Sequence, residues 1–162
     1  MTKLLFVCLG NICRSPAAEG VMQHRVNQAG RTVEFLCDSA GTGGWHAGER
    51  ADPRMRDHAS RRGYDLQSRA RQVRPEDLKA FDWILAMDDQ NYRDLLQLDP
   101  QGQNHHKVRK MTDFCRENLD SAVPDPYYGG DEGFEHVLDL LEDATSGLLD
   151  FIDNKWAPGT PR

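Results

Sequence analysis

The chain has 162 residues, 38% of them hydrophobic and 28% charged, with a formal net charge of −6. That length suits one domain, able to bury about two thirds of its unfolded surface without help from disulfides or metals. The acidic balance argues against nucleic acid as a partner, and no apolar run approaches the roughly 20 residues of a membrane span, so no membrane partner is expected either.

The first predicted element is a strand over residues 3–8, whose apolar run Leu4, Leu5, Phe6 and Val7 is continuous, the pattern of a central parallel strand buried on both faces. Gly10, Asn11 and Arg14 break it too early for a signal peptide, which predicts a cytoplasmic protein. A helix is predicted over residues 16–29, with Ser15 as N-cap, Pro16 at the first position and Gly30 as the stop. Between strand and helix, Gly10 and Asn11 tolerate left-handed dihedrals that turn successive N–H groups inward, so Leu9, Gly10, Asn11, Ile12, Cys13, Arg14 and Ser15 read as an anion-binding loop at a helix N-terminus. Cys8 opens that loop and Arg14 closes it, a C-x5-R spacing. It places a thiolate beneath a tetrahedral oxyanion whose equatorial oxygens a guanidinium grips, and the same cations and amides are expected to favour the thiolate.

A second strand is predicted over residues 32–37, ending at Asp38-Ser39, which makes a right-handed β-α-β unit. Residues 40–50 hold four glycines around Trp45, a loop carrying one large exposed aromatic. Asp52-Pro53 opens a short helix to about Arg62, residues 75–80 are helical at most briefly, and residues 83–87, W-I-L-A-M, read as a buried third strand. Asp88 or Asp89 caps the next helix, with Tyr92, Leu95 and Leu96 facing inward. Residues 107–111 are a weaker fourth strand, predicted more from position than from composition. Residues 112–130, with Pro124, Pro126 and Gly129-Gly130, form a loop long enough to suggest function. The last helix carries Phe134, Val137, Leu138, Leu141, Leu148, Leu149 and Ile152 as one apolar stripe, and residues 157–162 are expected to fray. The whole is an α/β fold, one domain over residues 1–156 with a flexible tail.

The segments V-C-L-G-N-I-C-R-S-P at 7–16, D-S-A-G-T at 38–42 followed by Trp45, A-R-Q at 70–72, M-D at 87–88 and D-P-Y-Y at 125–128 resemble the low-molecular-weight protein tyrosine phosphatases over nearly the whole chain. The resemblance implies a flavodoxin-like, Rossmann-like four-stranded parallel sheet in the order 2-1-3-4, helices on both faces, and the Cys8–Arg14 loop at the switch point of the sheet. It implies hydrolysis of phosphotyrosine in protein substrates through a phosphocysteine on Cys8. Arg14 would bind phosphate and stabilise the transition state, and Asp125 would be general acid and then base. Ser15 would hydrogen-bond the thiolate, Asn11 and Ser39 would brace the loop, and Cys13 would be a reversible disulfide partner under oxidation. Where the family often has a His in that brace, this chain has Ser68, which suggests a shorter or water-bridged brace. Leu9, Ile12, Trp45, Tyr127 and Tyr128 are expected to wall a slot for a phenyl ring, with inorganic phosphate and other oxyanions as inhibitors.

Rival readings are weaker. A thiol-linked arsenate reductase shares C-x4-C-R-S but passes its disulfide to further cysteines, and residues 65–104 contain none. Protein-arginine phosphatases typically carry Thr at the position of Ile12, and a phosphotyrosine-binding module without turnover would need neither Cys8 nor Asp125. Cys37 and Cys115 are expected to pack as small apolar residues. The adjacent His105 and His106 point apart with no third ligand, so neither metal nor cofactor is expected.

Overall fold

The computed structural model describes residues 1–127 and 129–160. Four parallel strands, β1 (Thr2–Cys8), β2 (Phe35–Gly41), β3 (Trp83–Ala86) and β4 (Val108–Lys110), lie in the order β2-β1-β3-β4. Five α-helices accompany them: α1 (Arg14–Gln28), α2 (Pro53–Arg61), α3 (Pro75–Ala80), α4 (Asp89–Gln97) and α5 (Asp131–Ile152).

The continuous burial of β1 has a direct cause. Leu4 and Phe6 point into one apolar cluster with Val21 and Met22 of α1 and with Leu138 and Leu141 of α5, while Leu5 and Val7 point into a second with Leu78 of α3 and Leu95 of α4. A strand covered on both faces has no reason to alternate. Within α5, Gly147 lets the helix ride close to the 3-10 turn Met111–Phe114, since a Cβ there would fall 1.9 Å from the Phe114 carbonyl oxygen.

Three boundaries differ from the sequence reading, each for a tertiary reason. Thr32–Glu34 is a 3-10 turn, and β2 runs on through Asp38 and Ser39 to Gly41 because its register follows β1 from Thr2↔Phe35 to Cys8↔Gly41. The two polar residues do not end the strand because Arg71 reaches Asp38 Oδ2 at 3.0 Å and Ser39 Oγ donates to Glu19 at 2.6 Å. Helix α1 begins at Arg14, so Cys13 stands at the cap position without a side-chain bond and Ser15 lies inside the first turn. By contrast, Asp52 and Asp88 cap α2 and α4 as local chemistry predicts, accepting from Arg54 N and Asn91 N at 2.8 Å each. Residues 157–160 form a turn behind Trp156, which packs against the larger cluster beneath the Arg116 guanidinium.

Candidate active site

Residues 9–13 leave β1 at its carboxyl end and deliver the chain to α1. The carbonyls around this loop are taken from outside: Thr42 N donates to Cys8 O and Gly43 N to Leu9 O, both at 2.9 Å, and Asp52 N to Ile12 O at 2.8 Å. Among the described residues the amides of 9–13 meet no protein acceptor, which leaves them for the interior of the loop beside the uncapped start of α1. Such a ring of donors on a helix axis is an anion cradle. Gly41 makes the close approach possible, because a Cβ there would sit 2.7 Å from Leu9 O.

Asn11 is the strained residue of the loop, with φ 58°. Its side chain bridges inward and outward: Nδ2 donates to Ser15 Oγ at 2.7 Å, and Oδ1 accepts from the Arg71 amide at 3.0 Å. Ser15 Oγ in turn lies 3.0 Å from Cys8 Sγ and 3.4 Å from Ala40 O. This explains why Ser15 is not the helix cap, since its hydroxyl is committed to the thiol. The expected Asn11–Ser39 brace is corrected too. Ser39 is held by Glu19, whose carboxylate also lies beside Ser68 and Arg71, and it is the Arg71 amide that holds Asn11.

Arg14 is buried and its guanidinium is shared. Nη1 donates to Asp88 Oδ2 at 2.7 Å and to Val123 O at 3.1 Å, and Nη2 stands 3.8 Å from Asp125 Oδ2. Burial alone would lower its pKa, but the neighbouring Cys8, Asp88 and Asp125 outweigh that and raise it, so it is a permanent cation. Asp88 is thus both the cap of α4 and the orienter of Arg14. The first role is visible in M-D-D, and the second needed the fold.

A cleft of about 210 Å³ opens above Cys8, walled by Leu9, Ile12, Cys13, Trp45, His46, Asp125 and Tyr127. Trp45 is 71% exposed and Tyr127 38%, so both present apolar faces to the opening. Arg54, salt-bridged to Asp52 at 3.0 Å, lies 5.3 Å from the Tyr127 ring centre. Asp125 Oδ1 accepts from Tyr127 N at 3.0 Å, so its carboxylate is oriented as well as half-exposed. Tyr128, expected in the same wall, lies outside the described residues. His46, which the sequence reading passed over, lines the cleft and hydrogen-bonds Glu49 through Nδ1. All four cysteines are free. Burial, then Asp52, Cys8 and Asp125, pushes the Cys13 thiol far up, and burial pushes Cys37 and Cys115 up to about 12 each. His105 Nε2 sits between the carbonyls of Leu96 and Asp99 at 3.0 and 2.7 Å, bracing the end of α4.

Residues 3–157 match the model of the low molecular weight phosphotyrosine protein phosphatases. The chain belongs to that family. Among its phosphatase relatives, a Schizosaccharomyces pombe low molecular weight phosphotyrosine protein phosphatase is 42% identical over 94% of this chain and 99% of its own. A Synechocystis protein that carries the protein-tyrosine-phosphatase name provisionally is 58% identical over 91% of this chain and 94% of its own. In three dimensions the protein tyrosine phosphatase of Entamoeba histolytica, crystallised with Hepes in its active site, superposes with a TM-score of 0.92 at 49% identity, covering 96% of this chain and 100% of that one. The fold of the family also carries a Drosophila arginine phosphatase, at 27% identity and a TM-score of 0.87 over 93% of this chain and 98% of that one.

Proposed function

We propose that this phosphatase hydrolyses phosphotyrosine in proteins, and aryl phosphates generally, in two steps on Cys8. The observation that carries the reading is one guanidinium, Arg14, set between the thiol loop and the loop bearing Asp125, so that a phosphate on the amides meets nucleophile, cation and acid together.

In the first step the Cys8 thiolate attacks phosphorus as the bond to the tyrosyl oxygen breaks, and that oxygen leaves with the proton of Asp125. The loop amides and the Arg14 fork carry the charge on the equatorial oxygens of the transition state. In the second step water attacks the phosphocysteine, gives its proton to Asp125, and releases inorganic phosphate and the Cys8 thiolate. The Ser15 hydroxyl, 3.0 Å from Sγ, is placed to donate to the departing thiolate. Leu9, Ile12, Trp45 and Tyr127 supply the apolar slot that favours a phenyl over a short alkyl phosphate, and the bulk of Ile12 favours phosphotyrosine over phosphoarginine.

The same cradle makes inorganic phosphate and vanadate inhibitors. Cys13, in the wall of the same cleft, is our candidate disulfide partner: a peroxide would oxidise the Cys8 thiolate to the sulfenic acid, and the Cys13 sulfur would displace water from it. The catalytic unit is residues 1–156. The net charge of −6 supports a protein rather than a nucleic-acid partner, and four free thiols suit the reducing cytoplasm. Among the described residues no helix is long and apolar enough to cross a membrane.

The test is turnover. Cys8→Ser should lose at least about a hundredfold in kcat yet still bind vanadate. Asp125→Asn should slow phenyl phosphate severely and an ester with a very acidic leaving group far less, because the latter departs without a proton. Parallel leaving-group dependence in parent and variant would remove Asp125 from the role of acid.

A further inference from the structure

Beyond the Leu9–Trp45 side of the catalytic cleft lies a second, larger groove of about 670 Å³. It adjoins the first, with Leu9 and Trp45 in the lining of both. Its near wall is the bare backbone of Gly43-Gly44, and side chains there are excluded: a Cβ on Gly43 would fall 1.8 Å from the Trp45 ring, and one on Gly44 2.9 Å from Gln72 Oε1. The Thr42 hydroxyl oxygen in this wall is buried and has no hydrogen-bond partner among the described residues. The far wall is the outer surface of α4, where Asp94 is the charged group of the lining.

A groove that begins at the rim of a phosphate-ester site, runs along bare glycine backbone and ends on a carboxylate has the features of a peptide subsite. We propose that it takes the substrate segment beside the phosphotyrosine, and that Asp94 selects a Lys or Arg two residues from that tyrosine. The inference rests on the function proposed above. An extended peptide points alternate side chains the same way, about 7 Å apart, so with the phosphotyrosine seated in the cleft the side chain two positions along passes over the Leu9–Trp45 rim. In the groove beyond that rim an acidic residue faces the like charge of Asp94, and a basic one is drawn to it.

The measurement is kcat/KM on phosphotyrosine peptides carrying Lys, Ala or Glu two residues before, or two residues after, the phosphotyrosine, with p-nitrophenyl phosphate as a substrate too small to reach the groove. At one of these positions the parent should rank Lys above Ala above Glu by roughly two- to fivefold per step, the size expected of an exposed ion pair, and the spread should shrink in high salt. Asp94→Asn should compress the ranking and Asp94→Lys invert it, both leaving p-nitrophenyl phosphate turnover at the parent value. Turnover of every peptide with no charge ranking, or a ranking that Asp94→Lys leaves in place, overturns the subsite alone. A parent that turns over neither peptides nor p-nitrophenyl phosphate overturns the proposed function and the subsite with it.

Discussion

Asp88 shows how one side chain divides its work between stability and chemistry. Oδ1 caps α4 through Asn91 N, and Oδ2 holds Arg14 Nη1 at 2.7 Å. Asp88→Asn separates the two jobs, because asparagine is as good a cap as aspartate but lacks the charge that orients a buried guanidinium. The expected outcome is a thermal midpoint within a few degrees of the parent and a kcat lower by roughly tenfold or more, a loss of ~1.4 kcal/mol in transition-state stabilisation. Thermal melts and steady-state kinetics on the same preparation check it; an unchanged kcat would mean that the Val123 carbonyl alone suffices to aim Arg14. At this scale Asn11 was readable, since few residues other than Gly take a left-handed φ, and the bond of Ser15 to the thiol followed from the resemblance, whereas its expected helix cap does not form. Its type and place predicted a cap, and the nearby thiol claimed the hydroxyl.

At the scale of elements, the acid loop is anchored by the shortest strand. Lys110 ends β4, and its Nζ donates to Asp89 Oδ1 in the first turn of α4 at 2.9 Å and to the Ser121 carbonyl at 3.0 Å. Two residues on, Val123 N donates to Met87 O at 2.8 Å while its carbonyl accepts from Arg14. Asp125 is thus carried on a short arm whose root is tied to β4, to α4 and to Met87, the residue that follows β3. Removing the Lys110 ties should blur the placement of the acid without touching the thiol. Lys110→Met is expected to lower kcat roughly three- to tenfold, or ~1 kcal/mol, on esters with basic leaving groups, and to change little on those with acidic leaving groups. Lys110→Arg should restore most of the loss. A uniform fall across the leaving-group series would assign Lys110 to general stability instead. The weak apolar signal of residues 107–111 has the same origin, since β4 spends its last position on this tie and only Val108 on burial.

For the molecule as a whole, two half-buried acidic networks set opposite pH responses. Burial holds the Glu19 carboxyl above the usual carboxylate range, against the pull of Ser39. The folded chain therefore keeps that proton to higher pH than the unfolded chain, and stability falls as pH climbs from the ordinary Glu value of about 4.3 through the raised one. Asp143 runs the other way. Burial alone would raise its pKa, but the amides of Arg116, Glu117 and Asn118, at 2.8 to 2.9 Å, bring it below the usual range. Its contribution is present above the unfolded value and lost as pH falls through the folded one. Glu19→Gln keeps an acceptor for Ser39 and removes the titration, so its stability relative to the parent should improve as pH rises from about 4 to about 7. Urea midpoints at the two pH values decide it, and an advantage that stays flat with pH would show that Glu19 ionises in the fold as freely as in the unfolded chain.

From the sequence alone came whatever depends on neighbours along the chain. Continuous apolar runs marked the buried strands, Asp52 and the Asp88-Asp89 pair announced their helices, and the five positions between Cys8 and Arg14 set the span of a phosphate loop, because burial periodicity, capping and loop span are local quantities. The tertiary structure decided what depends on residues far apart in sequence: that β2 runs to Gly41 because β1 does, that Ser39 serves Glu19 while the Arg71 amide holds Asn11, and that Asp88 and Val123 share one guanidinium. Such bonds form only after distant segments have paid the entropy of being brought together, and several acceptors of similar chemistry compete for each donor. Which of them wins is a matter of ångströms that spacing along the chain does not encode.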